Sequence, residues 1–177
     1  DKWPEIIHNM QNRIGINTGP MVTGNMGSTM RMNYTMMGNT VDIAARLESS
    51  AKQYGIYIQV ADHTYQACKD KFIWRELDFV KVVGKSNPYK VYELIANVGE
   101  MPKKYDKILP SYHEALNLYR NQKWDEAKMA FEVSNELEDM FPGRITNPSR
   151  EYILRCEYWK ANPPGDGWDG SWTLTKK

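Results

Sequence analysis

The stretch RMNYTMMGNTVDIAARLE, residues 31–48, decides the fold. Apart from Arg31 and Asn33, its opening residues are apolar, aromatic or β-branched, which suits a short strand. Beyond Gly38 and Asn39, Ile43, Ala44, Leu47 and then Ala51 recur at helical spacing. A glycine where the two patterns meet gives the backbone freedom for a sharp reversal. Such a reversal aims polar side chains from the strand end and the helix start at one spot.

Working outward, Ile14 and Ile16 alternate with Gly15 and Asn17, the period of a half-buried strand. Thr18, Gly19 and Pro20 offer a turn into Met21, Val22 and Thr23, so the two runs read as a hairpin. Downstream, the helix is expected to stop at Gly55, followed by a strand over 56–60 with Ile56, Ile58 and Val60 on one face. Asp62 is expected to cap a short helix ending near Cys68. Strand-like residues occupy 73–83 and 89–95, with a turn at 84–88 between them. Residues 1–97 therefore read as α+β, a sheet covered by helices on one face.

The composition changes at 98–107, which reads as a linker, and the pattern over 108–177 is helical. Tyr112, Ala115, Leu116 and Tyr119 form one stripe, and Ala127, Phe131, Ser134 and Leu137 form another. The break at 121–123 is short enough for an antiparallel pair. Trp124, Ala127 and Phe131 stand where a tetratricopeptide repeat places its packing residues, with Pro142 closing the unit. Asn147 before Pro148 predicts an N-cap and an N1 proline for a third helix carrying Tyr152, Ile153, Cys156 and Trp159. Trp168 and Trp172 are placed to pin the final loop onto those helices.

Whole-chain properties narrow the function. Lys and Arg (23) nearly balance Asp and Glu (22), so no overall field recommends a nucleic-acid or anionic-membrane partner. Cys68 and Cys156 read as isolated reduced thiols, consistent with a cytoplasmic setting. No apolar run is long enough to cross a bilayer. The chain starts at Asp1 within an amphipathic stretch (Trp3, Ile6, Ile7, Met10), which reads as a piece of a longer protein whose membrane anchor would lie upstream. Gly19, Gly24 and Gly27 lack the spacing of a phosphate-binding fingerprint. The ten methionines are expected mainly as core filling.

Residues 31–48 resemble the strand-turn-helix of class III nucleotidyl cyclases, and RIGINTGPMVTGNMGS, residues 13–28, resembles the hairpin that precedes it there. The resemblance covers 13–95, and the tail, 108–177, resembles the ending of bacterial cyclases that carry a sensor and membrane segments. It implies an α+β, ferredoxin-like cyclase catalytic half-domain over 1–97, an antiparallel sheet with helices on one face, followed by a small all-α helical hairpin tail. The implied reaction is that of an adenylate cyclase, ATP to cyclic AMP and pyrophosphate, in a homodimer. The implied location is a cytoplasmic domain of a protein anchored in the inner membrane.

Carried over by position, Thr35 falls on the residue that reads the purine edge, and Met36 follows with a backbone group near the base. Arg46 falls on the arginine that stabilises phosphate charge during ring closure. A guanidinium on a rigid helix suits that role, because it offers several donors without reorganising. The structural alternative is an ion pair with Asp42 four residues earlier, worth roughly a few tenths of a kcal/mol on an exposed helix. Asp42 stands where the family has an asparagine that positions the sugar. Val83 stands where it has a phosphate-binding lysine, with Lys81 or Lys85 within reach as substitutes. The family's metal, Mg or Mn, is held by aspartates belonging to upstream motifs, so no metal site is expected within these residues and the fragment alone is expected to be inactive. A guanylate cyclase, a degenerate domain that only dimerises or binds nucleotide, and a tail acting as a protein-docking module are the competing readings.

Overall fold

A computed structural model describes residues 3–8, 10–82, 88–138 and 144–174. The elements are α1 (Glu5–His8), β1 (Ile14–Ile16), β2 (Val22–Ser28), β3 (Arg31–Met37), α2 (Asn39–Tyr54), β4 (Ile58–Ala61), α3 (Asp62–Cys68), β5 (Phe72–Val82), β6 (Tyr89–Asn97), α4 (Tyr105–Arg120), α5 (Trp124–Leu137), α6 (Pro148–Ala161) and β7 (Trp172–Leu174). A five-stranded sheet runs β1-β4-β6-β5-β7, and β2-β3 form a separate ribbon. The central pairs, β4–β6 and β5–β6, are antiparallel as expected. The flanking pairs, β1–β4 and β5–β7, are parallel.

The expected hairpin between the runs at 14–16 and 21–23 does not form. β1 lies beside β4, with Ile14 N–H donating to Tyr57 O at 2.7 Å. β2 pairs instead with β3, Val22 opposite Met37 and Ser28 opposite Arg31. Polar anchors explain the difference: Asn17 Nδ2 donates to Thr40 O at 3.1 Å, and the Thr18 and Thr64 hydroxyls bond each other at 2.8 Å. These contacts hold the intervening segment on the starts of α2 and α3 instead of closing a tight turn.

α2 supplies the sheet's cover. Leu47, Ala51 and Tyr54 are buried with Ile56, Ala61, Leu77, Val80 and Val91, each full burial of a large apolar side chain contributing roughly 1.5–3 kcal/mol. Gly55 ends the helix at φ 63, and Ile56 N–H reaches back to Ala51 O at 3.2 Å, the left-handed stop expected from the sequence. Asp62 differs from expectation. It is the first residue of α3, with no side-chain cap, and its carboxylate accepts from Gln66 Nε2 and Tyr92 Oη.

α4 starts at Tyr105, inside the stretch read as linker, because Tyr105 and Ile108 bury their side chains there. α5 packs between α4 and α6 around Tyr112, Leu116, Tyr119, Ala127, Phe131 and Tyr152. Asn147 caps α6 as predicted, its Oδ1 accepting from Arg150 N–H at 2.8 Å. Trp168 and Trp172 do pin the last loop, Trp168 against Tyr119, Trp124 and Trp159, and Trp172 against Tyr158 and Trp159.

The helices also finish the sheet. Tyr112 and Tyr152 hydroxyls both donate to Leu77 O, at 3.3 and 2.7 Å, and Glu76 N–H donates to His113 Nε2 at 3.3 Å. β7 continues the same side of β5 over Val80–Val82. An edge that would otherwise leave main-chain groups unpaired is thereby closed. A buried network locks the union: Asp78 Oδ2 receives Tyr54 Oη and Arg155 Nη1, each at 2.5 Å, and Arg155 Nη2 approaches Tyr54 Oη at 3.2 Å. Burial, reinforced by Asp78, holds the Tyr54 phenol well above its ordinary pKa, so it remains a donor. Nearby, Arg75 is enclosed by Glu93, Glu138 and the face of Tyr112. A tail tied in this way counts against the docking-module reading.

Asp78 and Arg155 expose 1% and 2% of their side chains. Removing one partner strands the other's charge, so Arg155→Leu is expected to cost about 3–5 kcal/mol in urea unfolding, and adding Asp78→Leu should recover most of that loss. An Arg155→Leu loss below about 1 kcal/mol would show that the pair is dispensable.

Candidate functional site

The reversal anticipated at Gly38 is present. Gly38 adopts φ 137, in the region that favours glycine, and its carbonyl accepts from both Val41 and Asp42 N–H at 3.1 Å. β3 thus passes into α2 with the helix opened by main-chain contacts alone, no side chain capping it. Asp42 lies in the first turn, where a carboxylate complements the helix dipole.

Thr35 is the half-buried residue of an otherwise exposed β3. It lies opposite Gly24, above which a Cβ would meet nothing within 4 Å, so the space over that pair is open. Met36 follows with its side chain 54% exposed. Arg46 is exposed on α2, and among the described residues it forms no ion pair with Asp42. Its charge is instead felt by Tyr89, whose phenol is pushed up by burial and drawn partly back by Arg46. Since Tyr89 opens β6, Arg46 lies toward the end of the sheet where β5 leads into β6. Thr35 and Met36 therefore lie before the Gly38 turn, and Asp42 and Arg46 on the first turns after it. Lys85, with Val83, lies outside the described residues.

The residue that sequence reasoning overlooked is Gly15. A Cβ there would stand 2.1 Å from Ala44 O and 2.4 Å from Glu48 N, so α2 lies directly on β1 at this point. Arg13 Nε reinforces the contact by bonding Glu48 Oε1 at 3.1 Å. The signal was available, because glycine within a short strand commonly marks close approach of another backbone. This seating fixes the helix that carries Arg46.

The methionines correct another expectation. Met21, Met30, Met32, Met36 and Met37 are 48, 95, 61, 54 and 57% exposed, and with Val22 and Tyr34 they give the β2-β3 ribbon an apolar exterior instead of filling a core. Cys156 is buried, its thiol pushed up to about 12 mainly by that burial, which leaves it unreactive. Among the described residues no grouping of three or more His, Cys, Asp or Glu side chains suits a metal ion, so the acids present do not fit the family's Mg or Mn.

Residues 4–96 match the family described as the adenylate and guanylate cyclase catalytic domain. The chain belongs to that family, the class III nucleotidyl cyclases. It is 34% identical over 147 residues to the terminal-differentiation specific adenylate cyclase of Dictyostelium discoideum, covering 81% of this chain and 7% of that protein. It is 38% identical over 86 residues to adenylate cyclase 1 of Rhizobium meliloti (strain 1021), covering 49% of this chain and 13% of that one. Among solved structures, the adenylyl cyclase CyaB from P. aeruginosa aligns at 36% identity and a TM-score of 0.42, over 47% of this chain and 41% of that one. The chain thus spans less than half the length of each of these proteins.

Because the α2 backbone lies against Gly15, Gly15→Ala is expected to lower stability by about 1–3 kcal/mol in urea unfolding. The half-exposed Arg13–Glu48 pair is screened by water, so Arg13→Ala should cost less than about 1 kcal/mol. Equal effects would contradict this account of how the helix is seated.

Proposed function

We propose that the chain is the C-terminal part of an adenylate cyclase catalytic domain, which converts ATP to cyclic AMP and pyrophosphate where two like domains meet. Its family membership supports the chemistry, and the adenylate cyclases among its relatives favour ATP. In this reading Thr35 faces the purine edge and the Met36 backbone lies beside the base, while Lys85, outside the described residues, is the cation assigned to the phosphates. Arg46 stabilises the charge that builds on the phosphate oxygens. Asp42 lies near the ribose, where its carboxylate opposes a bare triphosphate and calls for a compensating cation.

The observation that carries the reading is the state of Arg46. Its exposed guanidinium is not consumed by Asp42, and it projects from a helix seated firmly against the sheet. Preorganised donors of this kind stabilise developing charge without reorganising as the reaction proceeds. The apolar exterior of the β2-β3 ribbon supports pairing with a second cyclase domain. In this reading carboxylates of the upstream motifs hold the Mg or Mn, and the 177-residue chain is expected to form no cyclic AMP alone. No helix of the described residues is long and apolar enough to cross a membrane, and the proposed setting is a cytoplasmic domain of an anchored bacterial protein.

Asp42 also gives a specific reason to weigh a degenerate, nucleotide-binding domain, and the family's twofold description keeps GTP as a candidate substrate. The deciding assay uses the protein extended upstream through the metal-binding motifs, with Mn and either ATP or GTP. Cyclic AMP should predominate, Arg46→Ala should reduce kcat on the order of 100-fold, and Asp42→Asn should retain activity. Predominant cyclic GMP would establish the guanylate reading. Nucleotide binding without turnover would establish the degenerate one, and an undiminished Arg46→Ala would remove that residue from the site.

A further inference from the structure

A cavity of about 250 Å³ opens along the seam between the sheet and the helical tail. Tyr65 of α3, Trp74 and Glu76 of β5 and Tyr92 of β6 form one side of it. His113, Asn117 and Arg120 of α4 form the other, spaced so that all three share one helix face. None of these residues belongs to the proposed nucleotide site.

The aromatic wall is fixed. Tyr65 stacks on Tyr92 with centroids 3.9 Å apart and meets Trp74 edge to face at 5.4 Å. The polar groups are also constrained. Glu76 Oε1 receives Arg120 Nη2 at 2.5 Å and Lys90 Nζ at 3.2 Å, which pulls its carboxyl below the ordinary range against the opposing effect of burial. His113 Nε2 accepts from Glu76 N–H, placing the imidazole proton on Nδ1, and burial lowers its pKa so that the ring is neutral at pH 7. Asp62, engaged by Tyr92 Oη and Gln66 Nε2, does not line the cavity.

Two cations, Arg120 and Lys90, thus share the single Glu76 carboxylate, and of the two only Arg120 lines the cavity. A guanidinium has N–H donors on several edges. Among the described residues Arg120 donates only through Nη2, so its other donors remain for a ligand. The stacking of Tyr65 on Tyr92 hides the ring faces that a cation cage uses. The size suits a single ring with a substituent, since a dry apolar cavity of ~150 Å³ already admits benzene.

We propose that this seam cavity binds a small aromatic carboxylate, its ring against Trp74 and Tyr65 and its carboxylate on the free donors of Arg120. Because sheet and tail each supply part of the wall, an occupied cavity would strengthen the seam by linkage.

The test is a calorimetric titration of the 177-residue chain with benzoate and with its neutral counterpart, benzamide. Benzoate should bind at least about tenfold more tightly, the difference expected for hydrogen bonds to a charged group. Arg120→Gln should bring benzoate down to the benzamide level, and Trp74→Ala should weaken both ligands by about fivefold. Because Arg120→Gln also breaks an ion pair, a second measurement uses the unaltered chain: benzoate should shift the indole N–H resonance of Trp74 and leave that of exposed Trp3 in place. Absent binding, equal affinities for the two probes, retention of the benzoate preference in Arg120→Gln, or an unmoved Trp74 resonance would each overturn the proposal.

Discussion

Asp78 and Arg155 are held 2.5 Å apart with almost no access to water, and neither charge is tolerable there without the other. Asp78 belongs to β5 and Arg155 to α6, and Tyr54 at the end of α2 bonds the same carboxylate. One carboxylate therefore joins the sheet, the helix that covers it and the C-terminal helices. The surrounding rings extend the joint, since the Arg155 guanidinium lies over Trp172 at 4.6 Å and Tyr152 at 5.0 Å. A second buried arginine, Arg75, repeats the arrangement with Glu93 of β6 and Glu138 just beyond α5.

This joint bears on the proposed nucleotide site through α2. The helix is held at its end by Tyr54 and Gly55, where a Cβ on Gly55 would stand 1.9 Å from Thr146 O, just before α6. It is held nearer its middle by Gly15, whose lack of a side chain lets the α2 backbone rest on β1. Arg46 belongs to the turn of α2 that rests on Gly15, between Ala44 and Glu48. In its proposed role Arg46 would act through fixed placement, and the helix that carries it is tied at its far end to α6 and the segment before it. The helical tail is thus part of the framework that holds α2.

Much of this was legible in the residues. The period of Ile43, Ala44, Leu47 and Ala51 gave α2, Gly55 its stop, and the Asn147 and Pro148 pair the start of α6, because each signal is local and each satisfies main-chain groups directly. Strand partnership was not local. Ile14 and Ile16 showed that a strand exists, yet its neighbour is β4, chosen by contacts of Asn17 and Thr18 with residues far along the chain. The methionines were misread for a related reason: composition reports apolar character, whereas only the placement of the β2-β3 ribbon determines which way it faces. Buried ion pairs such as Asp78 with Arg155 carry no spacing signature at all, since the partners lie in different elements.

The central claim is that sheet and tail unfold as one unit around Asp78, and native-state hydrogen exchange tests it most directly. Amides buried in the middle of α2, such as Leu47 and Ala51, and of α6, such as Tyr152 and Cys156, should open with the same free energy and the same dependence on urea. Early opening of α6 at low urea, with α2 still fully protected, would contradict the claim.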